Sequence, residues 1–169
     1  MEGARPLSRG PRVWAGLAAI ALAPLVAAAQ DLALGAHPEA RADVIVVARR
    51  ASWQVGGGAE IPAGYYVRIG IIGAAGTDVV SGATETSGRM DVTARFLLDP
   101  FRQSHWGLSG GAGVSVRARQ HDRVRPYLVA MMDLEGPRWS SGVSPSVQLG
   151  LGGGVRAGVA LRWSGVRTR

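Results

Sequence analysis

The chain has 169 residues and a formal net charge of +7, with 25 Gly, 9 Pro and no Cys. Without Cys there is no disulfide framework, no thiolate metal centre and no site for an N-terminal lipid. All 19 basic residues are Arg, scattered along the chain with neither Lys nor Asn present, which reads as the composition of a high-GC genome and not as a nucleic-acid surface. The glycines follow no Gly-X-Y repeat and stand inside apolar alternation, which excludes collagen and a disordered linker.

Residues 1–29 begin with Arg5, Arg9 and Arg12, continue into the apolar run AGLAAIALAPLVA and close on Ala27-Ala28-Ala29. A basic region, a short apolar core and a small-residue exit are the order of a secretory signal peptide. The run is shorter than the roughly 18 to 20 residues a spanning helix needs, and Pro24 interrupts it. The expectation is an exported protein with a mature charge of +5. An irregular lead-in is expected over 30–41, with Pro38 as its breaker, and a single β domain over 42–169.

Within that domain, side chains alternate with a period of two. From Arg89 to Asp99, Met90, Val92, Ala94, Phe96 and Leu98 fall on one face, and Arg89, Asp91, Thr93 and Arg95 on the other. From Trp106 to Arg119 the pattern repeats, with Leu108, Val114 and Val116 opposite Ser109, Ser115 and Arg117. The DPFRQS stretch between them reads as a turn, so the two pair as a hairpin. Further strands are expected over 65–77, 126–135, the segment around 146–156, and 158–164, while 43–61 is one long strand or two short ones. The count is therefore seven or eight. Gly56-Gly57-Gly58 and Gly152-Gly153-Gly154 lack a following helix pattern or a GK[ST] ending, so they read as strand bends and not as phosphate loops.

Over residues 53–163 this pattern resembles the small eight-stranded outer-membrane β-barrels, and stretches such as IPAGYYVRIG and RFLLDPFRQSHWGLSGGAGVSVRA are similar to exported proteins of high-GC bacteria. The resemblance implies an all-β, antiparallel, up-and-down barrel of about eight strands after a signal peptide. It implies an apolar belt in outer-membrane lipid and a polar interior. Arg68, Asp91, Arg95, Arg117, Asp133, Arg156 and Arg162 lie on the polar faces and would occupy that interior or, in a soluble barrel or sandwich of the periplasm, a solvated exterior. Trp53, Tyr65, Trp106 and Trp163 would stand at the membrane interfaces. Short links would face the periplasm, with the longer polar stretches TDVVSGATETSG and RQHDRVR outside.

No catalytic, cofactor-binding or metal-binding set emerges, and no cofactor is expected. His37 falls in the lead-in, His105 reads as capping a turn, and His121-Asp122 lies in an expected outer loop with no Ser positioned for activation. Loop 78–88, rich in Ser, Thr and Gly, offers a possible recognition surface. The sequence thus points to a structural or surface-interaction role in the outer membrane. The alternatives are a soluble periplasmic β-protein binding a small apolar ligand or a partner, and a barrel hydrolase acting on envelope lipid or peptide.

Overall fold

The computed structural model describes residues 35–48, 50–80, 83–101, 104–120 and 122–164, so the expected leader lies outside the described residues. Eight strands follow one another: β1 (His37–Val47), β2 (Arg50–Pro62), β3 (Val67–Val80), β4 (Ala83–Leu97), β5 (Gly107–Arg119), β6 (Asp122–Glu135), β7 (Val143–Leu151) and β8 (Val155–Trp163). Each pairs antiparallel with the next, and β8 closes on β1 through Glu39↔Arg162 to Val46↔Val155. The result is an all-β, up-and-down closed barrel, in which 43–61 contributes two strands and not one.

The register fixes the dimensions of the barrel. From Arg41 on β1 the partners run through Gly56, Ala74, Arg89, Arg117 and Arg125. Carried across β7 and β8, past their short upper ends, the circuit returns to β1 ten residues beyond Arg41. Eight strands with that stagger, at a rise of about 3.3 Å per residue and a spacing of about 4.7 Å, tilt by about 41° and enclose a radius of about 8 Å. An interior of that width holds one layer of side chains from each wall.

Curvature this tight needs glycine where strands press together. A Cβ at Gly76 would overlap the Trp53 carbonyl oxygen, one at Gly113 the Val92 carbonyl oxygen, and one at Gly158 the Asp43 carboxylate. A Cβ at Gly150 would come within 2.6 Å of the Ala130 carbonyl oxygen. These crowded seams are β2–β3, β4–β5, β8–β1 and β6–β7, so the wall turns its corners at alternate seams.

The two ends differ. The end at which β1 begins and β8 ends, called lower here, carries the segments 63–66, 98–106 and 136–142 between strands, whereas between the upper strand ends lie only 48–49, 81–82, 120–121 and 152–154. Ala48 takes a left-handed backbone, φ 48°, in the first upper turn. The expected long upper loops are therefore strand. TDVVSGATETSG runs up β3 and down β4 in continuous register from Thr77↔Thr86 to Val80↔Ala83, and RQHDRVR is mostly the ends of β5 and β6. Ser, Thr and Gly in these segments serve the ladder because β pairing satisfies the backbone whatever the side chain, as long as the partner strand continues. The barrel also starts earlier than expected, since β1 begins at His37, within the segment read as lead-in. Tyr65 and Tyr66 fall in the lower turn ahead of β3 and not in the strand itself.

The corner glycines make a paired prediction. Gly76→Ala should lower stability by about 1 to 3 kcal/mol through forced separation of β2 and β3. Gly73→Ala, where nothing stands within 4 Å of the added carbon, should be close to neutral. Urea unfolding of the two variants checks the difference.

Candidate functional site

The alternation of each strand delivers its polar side chains to the lumen. On β1 these are Glu39, Arg41 and Asp43; on β4, Arg89, Asp91 and Arg95; on β8, Arg156 and Arg162, all buried. Charges taken out of water in this way need partners at hydrogen-bonding distance, and the barrel supplies them in three tiers.

In the lower tier Arg162 reaches furthest. Its Nε donates to Glu39 Oε2 at 2.7 Å, and its guanidinium also engages Asp133 and Glu135. Arg95 Nη1 lies 2.6 Å from Glu60 Oε1 and donates to Asp133 Oδ2 at 3.0 Å. Gln148 donates to the same Asp133 oxygen, and Arg68, nearer the mouth, donates to Glu60 at 3.4 Å. Asp133 therefore ties β4, β7 and β8 to its own strand β6.

The middle tier is centred on Asp91, whose side chain has no exposure. Its Oδ2 accepts from Arg89 Nε at 3.0 Å and from Arg156 Nη1 at 2.8 Å. Arg89 in turn donates to Gln54 at 2.8 Å and to Asp43 across the lumen. In the upper tier Asp78 accepts from Ser87 at 2.7 Å and from Arg117 at 2.6 Å, and it pairs with Arg119 at 2.6 Å. Gln54 donates to Ser87 and so links the upper tier to the middle one. Ile45, Ile72, Ala74, Val129, Met131 and Ala160 fill the remaining lumen with apolar surface.

The structure thus brings Asp91, Arg95, Arg117, Asp133, Arg156 and Arg162 together inside the barrel, with Arg68 half-buried at the lower mouth. Sequence reasoning placed Arg89 on the polar face of its strand but did not single out the partners Glu39, Asp43, Glu60 and Asp78. The spacing Glu39-Ala-Arg41-Ala-Asp43 carried a period-two signal, which the adjacent Pro38 obscured. Small cavities lie at the two mouths of the lumen, one of about 20 Å³ by Arg68 and Glu135 and one of about 10 Å³ by Asp78 and Arg117. Each is room for about one water molecule.

The outer wall reverses this chemistry. Outward positions on β1 carry Pro, Ala and Val; on β4 Thr, Gly, Met, Val, Ala and Phe; on β7 and β8 Val, Pro, Leu, Ala and Trp. Large apolar side chains stand clear of the wall, with Leu149 60% and Leu128 84% exposed. Trp53, Tyr65, Trp106 and Trp163 are all exposed, Trp53 towards the upper end and the other three at the lower one. Tyr66 joins the lower group, stacking on Phe96 at 5.7 Å between ring centroids, with Phe101 edge-on at 6.4 Å. Apolar grooves of about 510 and 520 Å³ run where the small side chains of Ala40, Ala42 and Ala157 lie between Trp106, Trp53 and Val147.

Two of the three histidines lie among the described residues. His37 begins β1, His105 is exposed in the link 98–106, and His121 lies outside the described residues. Within that link Asp99 accepts from the Ser104 backbone N–H at 3.0 Å. Among the described residues no group of three or more His, Cys, Asp or Glu is arranged to hold a metal ion.

No family model matches this chain, and no curated protein matches it. Among solved structures it is similar to the de novo designed protein TMB2.3, determined by solution NMR, at 13% identity and a TM-score of 0.47, covering 80% of this chain and 97% of that one.

The middle tier gives the sharpest test of the interior. Asp91→Ala leaves Arg89 and Arg156 facing each other without their shared carboxylate, so it should cost about 3 to 5 kcal/mol. Arg138→Ala, in an exposed lower link, should change stability by less than about 0.5 kcal/mol. Thermal unfolding of both variants in the same detergent provides the comparison.

Proposed function

We propose that this protein is a small integral outer-membrane β-barrel with a structural or surface-interaction role, closed to ion flow. The observation that carries the reading is the direction of its side chains: carboxylates and guanidinium groups point into the lumen, while Val, Leu, Met and Phe point out. In water that arrangement would leave a continuous apolar wall exposed and would still have taken the charges out of solvent. In a bilayer the same wall replaces lipid contacts, and every backbone group is satisfied by a closed ladder.

The height of the wall supports this reading. At a tilt of about 41°, each strand residue adds about 2.5 Å along the barrel axis. On β5 the outward run from Leu108 to Ala118 then spans about 25 Å, the apolar height typical of such barrels. Polar outward side chains first appear near this level, with Thr77 on β3 and Thr86 on β4, where they stand among Val79 and Val124. Aromatic residues gather at the lower limit, and Trp53 stands near the upper one. A soluble periplasmic barrel needs the opposite sense, with its apolar faces packed inward. Three tiers of ion pairs that cross the lumen favour a plugged structural element over a pore.

Leu149→Arg separates these readings. On a lipid-facing wall near mid-height, an Arg should cost about 2 to 4 kcal/mol and prevent folding into phosphatidylcholine vesicles, whereas on a solvated wall it should raise solubility and leave folding intact. Heat-modifiable migration on a gel, after vesicle flotation, reads the outcome. In planar bilayers the wild-type protein should show no steady conductance, and sustained channel openings would contradict the plugged lumen.

A further inference from the structure

The barrel wall is not of even height. Its lower strand ends are nearly flush, yet β7 and β8 have nine residues each where β3 and β4 have 14 and 15. Each residue adds about 2.5 Å along the axis, and each step along a paired row from β1 towards β8 lifts it by about 3 Å. Ala112 pairs with Ala130, and Ala130 with Leu151, so Leu151 stands about 6 Å above Ala112. On β5 itself Ala118 stands about 15 Å above Ala112. The tip of β7 thus ends about 9 Å below the top of the apolar run on β5, and Val155, paired with Leu151, about 6 Å below it.

Outward side chains are apolar up to this low rim, where Leu151 and Val155 are both exposed. Directly above them comes backbone. The Gly152–Gly154 turn is closed by the Gly152 N–H donating to the Gly154 carbonyl at 2.9 Å. Beside it, Asp122–Val129 of β6 pairs with β5 alone among the described residues. The Gly136 N–H donates to the Pro145 carbonyl of β7, so the even-numbered residues of β6 direct their backbone groups to that side. Pro126 and Leu128 therefore turn theirs towards the gap, Leu128 at about 7 Å below Ala118. On the rest of the wall that level is apolar. A backbone group standing in hydrocarbon there has no water to bond.

We infer that the β7–β8 side of the barrel is a membrane-thinning surface, where the headgroups and hydration layer of the upper leaflet descend by about 6 to 9 Å to the level of Val155 and Leu151. This rests on the membrane reading above. A wall shorter than the hydrocarbon around it is met by local thinning of the bilayer, at a modest cost for each ångström. Leaving the turn and the β6 edge in hydrocarbon costs more, because each backbone group without a partner is penalised separately. The descending layer brings water, both donor and acceptor, to that backbone. A strand from another protein fits the edge poorly, because Pro126 stands in the middle of it with no N–H to donate. The partner is the leaflet itself, and this is the side on which the barrel disturbs lipid order.

The chain has no Cys, so single nitroxide labels can be placed on it without background. Leu151→Cys and Met90→Cys put labels on the outer wall three strands apart and within about 1 Å of the same height. The full chain is folded into phosphatidylcholine vesicles, and label depth is read by electron paramagnetic resonance with oxygen and a nickel chelate as relaxants. The label at Met90 should lie in hydrocarbon, and that at Leu151 about 8 Å shallower, among the headgroups. Equal depths would overturn the inference and leave the membrane reading intact. A rigid tilt of the barrel would also lift Leu151, but it would draw the lower end of β8 into hydrocarbon. A label at Trp163→Cys should therefore stay at the lower headgroups, and a hydrocarbon depth there replaces thinning with tilt. Spin–spin broadening at Leu151 that unlabelled protein relieves would put a second copy on this face instead of lipid. If Leu151→Cys does not fold, Val155→Cys against Val116→Cys, again within about 1 Å in height, gives the same comparison. Failure of the wild type to float with vesicles would remove the membrane reading and this inference together.

Discussion

Asp91 and Asp133 hold the two most buried tiers of the lumen, and the rest of the structure is arranged around the requirement that neither they nor their arginines be left alone. Asp91 takes guanidinium groups from β4 and β8, and Asp133 takes them from β4 and β8 and an amide from β7. A buried ion-pair network of this kind adds little stability over an apolar core of the same volume. It does make mispairing costly, because a slip of one residue in any ladder turns a charge out to the wall and an apolar side chain into the lumen. Register, closure and ion pairing are thus three statements of one constraint.

The glycines belong to the same constraint from the other side. A radius of about 8 Å leaves room for a single layer of arginines and carboxylates, and such a radius is reached only if the wall bends sharply. Corner positions such as Gly76 and Gly113 let one strand press against the backbone of its neighbour. A larger barrel would need fewer such bends and would leave the ion pairs too far apart to meet. The glycines at these seams therefore reflect the size of the lumen, while Gly64 and Gly153 serve the turns between strands.

Much of the wall was legible in the sequence, because a period of two in Met90, Val92, Ala94 and Phe96 against Arg89, Asp91, Thr93 and Arg95 admits no other regular structure. The sense of the faces was not. Alternation is symmetric under exchange of inside and outside, and only closure of β8 onto β1 assigns Arg95 and Arg162 to one lumen. The links were misread where composition and pairing disagree: Thr77 to Gly88 has the residues of a loop, yet it belongs to two long strands whose inner face carries Asp78 and Ser87 in contact. Individual ion-pair partners were equally out of reach, since Arg162 and Glu39 are 123 residues apart and meet only across the closing seam.

One consequence of the reversed loop lengths concerns where this barrel can present chemistry. Among the described residues, the β7–β8 hairpin at the upper end stops well below the neighbouring strands. Anything that meets that end meets strand sides: ladder edges, side chains fixed by the pleat, and arginines whose spacing is set by pairing such as Arg117↔Arg125. A surface of that kind is rigid and holds its charges at fixed separations. The same register that closes the lumen thereby fixes where charge and apolar surface stand along the wall.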